Sequence, residues 1–143
     1  MILSSLKHRL IVSCQAPDGD PFRDPDSMAR FAEAAALGGA AGIRANGPED
    51  IRAIRARVDL PVFGIQKSIA SDGRVLITPS VKSAQAVVEA GASIVAIDCT
   101  ARGRRYGAFE RLREIRNRLR VPVMADIATV EEAIAAVEAG ADT

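Results

Sequence analysis

At 143 residues, 48% hydrophobic but only 3% aromatic, the chain is long enough to bury a core and must build it from Ala, Val, Ile and Leu. Its 19 basic and 18 acidic side chains leave a net charge of +1, which excludes an electrostatic nucleic-acid binder and a charged tail. Two cysteines, a single histidine, no secretory leader and no run of about eighteen apolar residues point away from a disulfide framework, a zinc site and a membrane; the expectation is a cytoplasmic protein with reduced thiols.

Taken in chain order, short apolar runs alternate with amphipathic segments. The first run, Leu10–Gln15, is followed by a predicted helix over Asp26–Leu37, with Met28, Phe31, Ala32 and Ala35 on one face. Ala41–Asn46 leads into a helix over Pro48–Val58, which opens with Pro48 and the acidic pair Glu49 and Asp50 near its positive end. Pro61–Lys67 is followed by a longer stretch, Ser68–Pro79. Its turn signal Ser71-Asp72-Gly73 and short apolar run Val75–Ile77 predict a hairpin over one end of the fold. Ser80–Ala90 reads as a helix, Ile94–Cys99 as a strand, and Phe109–Leu119 as a helix with a solvated, arginine-rich face. Val121–Ile127 is the fifth run, and Thr129–Ala139 the fifth long helix, with Thr129 and Glu132 at capping-box spacing.

A weak repeat punctuates this order. Gly39-Ala40, Gly91-Ala92 and Gly140-Ala141 each follow an alanine-rich helix, where glycine suits the helix C-cap. The third, Gly140-Ala141-Asp142-Thr143, is a cue for a sixth strand.

Five strand–helix units with short connections make a parallel α/β fold, either an open doubly wound sheet or a (β/α)8 barrel cut after about five units. No Gly-x-Gly-x-x-Gly follows the first run, and every run carries a polar residue at or next to its C-terminal end, as in a barrel that converges its strand ends on one mouth. The barrel is therefore expected, as one incomplete domain over residues 1–143.

Those strand ends supply the candidate chemistry. Lys67 closes a buried run, where desolvation favours a neutral amine that can act as a base or form a Schiff base. Asp98 and Asp126 can hold sugar hydroxyls or orient the lysine, or simply cap the loops that follow. Arg44 suits an anion or hydroxyl-rich ligand, or else an ion pair with one of those aspartates. Gln15 offers a donor and an acceptor. The segment Arg102-Gly103-Arg104-Arg105 reads as a basic loop able to reach a phosphate, Cys14 and Cys99 as small core residues, and His8 as exposed.

Five motifs occur together in order: Leu10-Ile11-Val12-Ser13-Cys14-Gln15, Gly42-Ile43-Arg44-Ala45-Asn46, Pro61-Val62-Phe63-Gly64-Ile65-Gln66-Lys67, Val95-Ala96-Ile97-Asp98 and Met124-Ala125-Asp126-Ile127-Ala128-Thr129. Along nearly the whole chain this resembles the N-acetylmannosamine-6-phosphate 2-epimerases, isomerases of amino-sugar and sialic-acid catabolism that invert C2 of the sugar phosphate. The resemblance implies that Lys67 is a catalytic acid/base. It implies that Gln15, Arg44, Asp98, Asp126 and, after the fourth strand, Arg104 line the site of a phosphorylated amino sugar. It implies no metal and no organic cofactor, and leaves self-association open. The sequence departs from the family where Ser68 and Ile69 follow the lysine in place of Arg-Asp, Gln66 precedes it, Cys99 follows Asp98, and Arg105 stands in place of proline. The family's second catalytic residue, a glutamate on a later strand, and its phosphate-gripping loops lie beyond Thr143. The expectation is an enzyme impaired in the 143-residue chain, with two readings beside it: a non-catalytic barrel remnant, and a Schiff-base enzyme using Lys67.

Overall fold

The computed structural model describes residues 2–143. Five parallel strands lie in the order β1 (Ile11–Cys14), β2 (Gly42–Asn46), β3 (Val62–Ile65), β6 (Ile94–Asp98) and β7 (Val123–Asp126). Spatial order follows chain order, so there is no switch point of the kind that a doubly wound sheet carries. Right-handed crossovers then put the helices on a single face. These are α2 (Pro25–Leu37), α3 (Pro48–Arg55), α4 (Val81–Glu89), α6 (Ala108–Leu119) and α7 (Val130–Ala139). The architecture is that of part of a (β/α) barrel.

Strand parity divides the core in two. Ile43, Ala45, Val62, Val95, Ile97 and Val123 pack with Met28, Ile51, Ile54, Val87 and Leu112 of the helices. The alternate residues Phe63 and Ile94 form the inner cluster, with Ile11 and Met124 packed against it. The lower end of this inner face is closed by α1 (Ile2–Leu6), a short helix that the sequence did not announce, through its buried Leu6. Helix and sheet approach closely at Gly64, where a Cβ would stand 2.5 Å from that of Ala92. No helix among the described residues is long and apolar enough to cross a membrane.

The glycine–alanine repeat is one structural device used three times. Gly39, Gly91 and Gly140 have φ of 90°, 111° and 109°. Each glycine N–H bonds the carbonyl three residues back, and each following alanine N–H the carbonyl five residues back, all at 2.9–3.0 Å. This is the Schellman closure of a helix. The chain then enters the sheet: Ala41 donates to the Leu10 carbonyl, Ser93 to that of Val62 and Asp142 to that of Val123, at 2.8, 2.8 and 2.9 Å. Ala125 in turn donates to the Thr143 carbonyl at 2.8 Å, so residues 142–143 make the first rungs of a further parallel strand beside β7.

Three expectations are corrected. The run Pro61–Lys67 is not one strand: β3 stops at Ile65, and Lys67 opens β4 (Lys67–Ile69), antiparallel to β5 (Val75–Ile77). The break is made by Thr78, buried with φ 49°, whose N–H donates to the Gln66 carbonyl at 2.8 Å and whose hydroxyl donates to the Ala96 carbonyl at 2.7 Å. The basic loop is α5 (Ala101–Arg105), a short helix started by Thr100, whose hydroxyl accepts from the Gly103 N–H at 3.2 Å. The arginine face of α6 is not wholly solvated: Arg111 is buried, and its guanidinium donates to the Tyr106 carbonyl at 2.8 Å where α5 gives way to α6.

Candidate functional site

The upper ends of the strands carry the polar residues singled out by sequence. Arg44 lies on the inner face, its guanidinium 4.0 Å from the Met124 sulfur, and grips Asp126 with two N–H···O bonds of 2.8 and 2.7 Å. In a flat sheet β2 and β7 would stand about 14 Å apart. The contact therefore records how strongly the sheet curls toward a barrel. Both side chains are largely sheltered, at 18% and 20% exposure.

Asp98 is the ladder partner of Asp126 on the adjacent strand. It is buried, and both of its oxygens are engaged: Oδ1 accepts from the Thr100 N–H and hydroxyl at 3.1 and 2.6 Å, and Oδ2 from Arg102 at 3.1 Å. Arg102 also donates to the Val75 carbonyl and lies 3.9 Å from Asp72, so it ties the β4–β5 hairpin to Asp98. Sequence reading did not separate Arg102 from its neighbours; its i,i+4 spacing from Asp98 was the available signal.

Lys67 stands on the hairpin, its backbone N–H held by Asn46 Oδ1 at 2.8 Å, and no hydrogen bond or ion pair joins it to Arg44, Asp98 or Asp126 among the described residues. It borders a cleft of 840 Å³ lined also by Arg23, Asn46, Arg52, Gln66 and Ser68, but not by Arg44, Asp98 or Asp126. Lys67 is exposed on the hairpin and not buried at a strand end. Gln15 lies on the edge strand's continuation. Its Nε2 donates to the Ser13 hydroxyl at 2.7 Å, while its Oε1 is buried with no partner among the described residues. Arg104 is not brought into the cluster: it is exposed, with its guanidinium 5.8 Å from the centre of the Phe109 ring. His8 is exposed, and Cys14 and Cys99 are buried on the helix side of the sheet. Burial raises both thiol pKa values, that of Cys99 to about 11.

The loops that carry the two aspartates are joined by Glu132 of α7. Its Oε1 accepts from the Ala101 N–H at 2.5 Å, and its Oε2 from those of Ala128 and Thr129 at 2.7 and 3.3 Å. The backbone N–H of Ala128, then that of Ala101, hold this carboxyl below the usual glutamate range.

The family model for NanE, described as "Putative N-acetylmannosamine-6-phosphate epimerase", matches residues 28–143. The chain belongs to this epimerase family. A protein of Thermosynechococcus vestitus named "Putative N-acetylmannosamine-6-phosphate 2-epimerase" is 44% identical over 99% of this chain, which spans 62% of that relative. One of the same name from Synechococcus elongatus is 46% identical over 98%, again with 62% of the relative spanned. The solved N-acetylmannosamine-6-phosphate 2-epimerase from Clostridium perfringens superposes with a TM-score of 0.85 at 34% identity, over 99% of this chain and 62% of that one. A mandelate oxidase matches at TM-score 0.64 and 20% identity, a likeness of fold alone. The chain thus spans less than two thirds of the length of the epimerases it resembles.

Proposed function

We propose that this chain carries the lysine-bearing part of an N-acetylmannosamine-6-phosphate 2-epimerase site, and that turnover needs the remaining length its relatives possess. The observation that carries the reading is the convergence of Arg44, Asp98 and Asp126 at one end of the curled sheet, with the Lys67 hairpin tied to Asp98 through Arg102, in a member of this family.

The chemistry follows from the substrate class. In the open-chain sugar the C1 aldehyde acidifies the C2 hydrogen. The Lys67 amine takes that proton, and the C2–H electron pair moves into the C1–C2 bond as the carbonyl oxygen becomes an enolate that keeps the acetamido group on C2. Return of a proton to the opposite face inverts C2 and needs an acid on the far side of the ring. Asp98, held by Thr100 and Arg102, and Asp126, held by Arg44, are fixed acceptors for sugar hydroxyls. The phosphate is left to groups other than these carboxylates.

Titration of the isotopically labelled chain with N-acetylmannosamine 6-phosphate tests this. Amide shifts at residues 44, 67, 98 and 126, without deuterium incorporation at C2 in deuterated water, are expected. Absence of shifts at all four strand ends would overturn the reading, and formation of the gluco epimer would show that the 143 residues suffice.

A further inference from the structure

A capping box needs only the N3 carboxylate and the backbone at its own helix start. Glu132 does more. Thr129 accepts from the Glu132 N–H at 3.2 Å and the carboxylate returns to Thr129 and Ala128, completing the cap of α7. The other oxygen leaves this element and accepts from Ala101, the first residue of α5. Ala101 is three residues past Asp98, and Ala128 two residues past Asp126. One sheltered carboxylate, 7% exposed, therefore spans the two turns that leave the paired aspartates. Gly103 presses the start of α5 against Asp98 as well, since a Cβ there would lie 2.1 Å from the Asp98 carbonyl oxygen. The turn after β6 thus has no room to shift independently of the aspartate it follows.

We propose that Glu132 is a positioning residue: by bridging Ala101 to Ala128 it fixes the turn after Asp98 against the turn after Asp126 and so keeps Asp126 seated on Arg44. That the seated pair serves a sugar phosphate rests on the function proposed above; the positioning itself is read without any ligand.

The test is nitrogen-15 NMR of the 143-residue chain, comparing Glu132→Gln with Ala101→Pro. Proline is well tolerated at the first position of a helix, so Ala101→Pro removes the donor while leaving Glu132 and α7 untouched. In the unaltered protein the bidentate grip of Asp126 should hinder rotation of the Arg44 guanidinium and keep its terminal N–H signals apart. Both variants are expected to merge those signals. Glu132→Gln should also speed exchange of the Ala101 amide about tenfold, the scale of one lost charge-assisted bond. A change at Arg44 in Glu132→Gln but not in Ala101→Pro would place the effect in the α7 cap and overturn the proposal, as would unchanged Arg44 signals in both. Should Glu132→Gln fail to fold, Ala101→Pro alone decides by the same signals. The dissociation constant of N-acetylmannosamine 6-phosphate should rise about tenfold in both variants. If the unaltered chain binds none, the function proposed above fails while the Arg44 signals still decide the positioning.

Discussion

Arg44 and Asp126 meet in a bidentate ion pair although two strands separate β2 from β7 in the sheet. The pair closes a chord across the open side of a curled sheet, joining residues 82 apart in sequence. Such a contact should couple β2 to β7 at the far edge of the sheet. A double-mutant cycle of Arg44→Ala and Asp126→Ala in urea should therefore be non-additive by about 1 kcal/mol, each single change leaving a sheltered charge unpaired. Arg44→Lys should behave nearly as Arg44→Ala, because an ammonium cannot reproduce the two parallel bonds. Additive losses would show that the chord carries no coupling.

Lys67 gives a prediction that separates proton transfer from covalent catalysis. An amine that only carries a proton forms no imine, so borohydride added to the chain with N-acetylmannosamine 6-phosphate should leave Lys67 unmodified by peptide mass. Since Lys67 is exposed, Lys67→Ala should leave stability within about 0.5 kcal/mol. Binding of the sugar phosphate should weaken by no more than about threefold, because a proton-transfer group acts chiefly in the transition state. A reduced adduct on Lys67 would favour a Schiff-base enzyme instead.

The limits of what sequence conveyed follow from the kind of signal involved. Strands β1, β2, β3, β6 and β7 and the five long helices were legible because each repeats a simple period of apolar residues. The hairpin was legible from Ser71-Asp72-Gly73 and the run Val75–Ile77. Helix α5 was not, because Arg-Gly-Arg-Arg has no apolar period and its glycine argues against a helix; Gly103 is there because nothing larger fits against Asp98. The ion pair of Arg44 was foreseen as an option, its partner among the aspartates was not. The placement of Lys67 on a hairpin rather than a strand end depended on Thr78, whose left-handed backbone no composition rule favours. The bridge from Glu132 to Ala101 needed the position of α5, so the capping box alone could not reveal it.

Gly103 itself is testable. A methyl group at this position would overlap the Asp98 carbonyl oxygen, 2.1 Å away, and Asp98 Oδ1, 2.5 Å away. Backbone cannot give way as a flexible side chain does, so Gly103→Ala should cost about 1–3 kcal/mol despite the better helix propensity of alanine. The loss should appear as a lower urea midpoint with an unchanged slope. A stabilised variant would mean that α5 can swing away from Asp98.

Burial makes the cysteines inert at neutral pH. Desolvation is the main cause at both, and at Cys99 it outweighs the opposing charge of Arg111, leaving the thiol pKa about 11. Neither Cys14 nor Cys99 should react with iodoacetamide at pH 7 in the folded chain, while both should react in denaturant. Rapid modification of the folded chain would contradict the burial of both side chains.

The acid limb of stability should carry the signature of Glu132. Its folded-state pKa is depressed below the ordinary glutamate value of 4.5 by bonds from Ala128 and then Ala101. For a depressed carboxyl, the stabilising contribution is fully present above the unfolded value and is lost as pH falls through the folded one. The stability difference between the unaltered chain and Glu132→Gln should thus be constant from neutral pH down to about 4.5 and shrink below it. Chemical denaturation at several pH values reads this directly. Asp50 works in the opposite sense: burial raises its pKa against the pull of Arg23, so its ionisation opposes folding above its unfolded value near 3.8. In Asp50→Asn the acid limb should consequently steepen relative to the unaltered chain, because the remaining carboxyls, Glu132 among them, lose their stabilising charge with nothing to offset them. Parallel pH profiles for all three proteins would show that neither carboxyl is linked to folding.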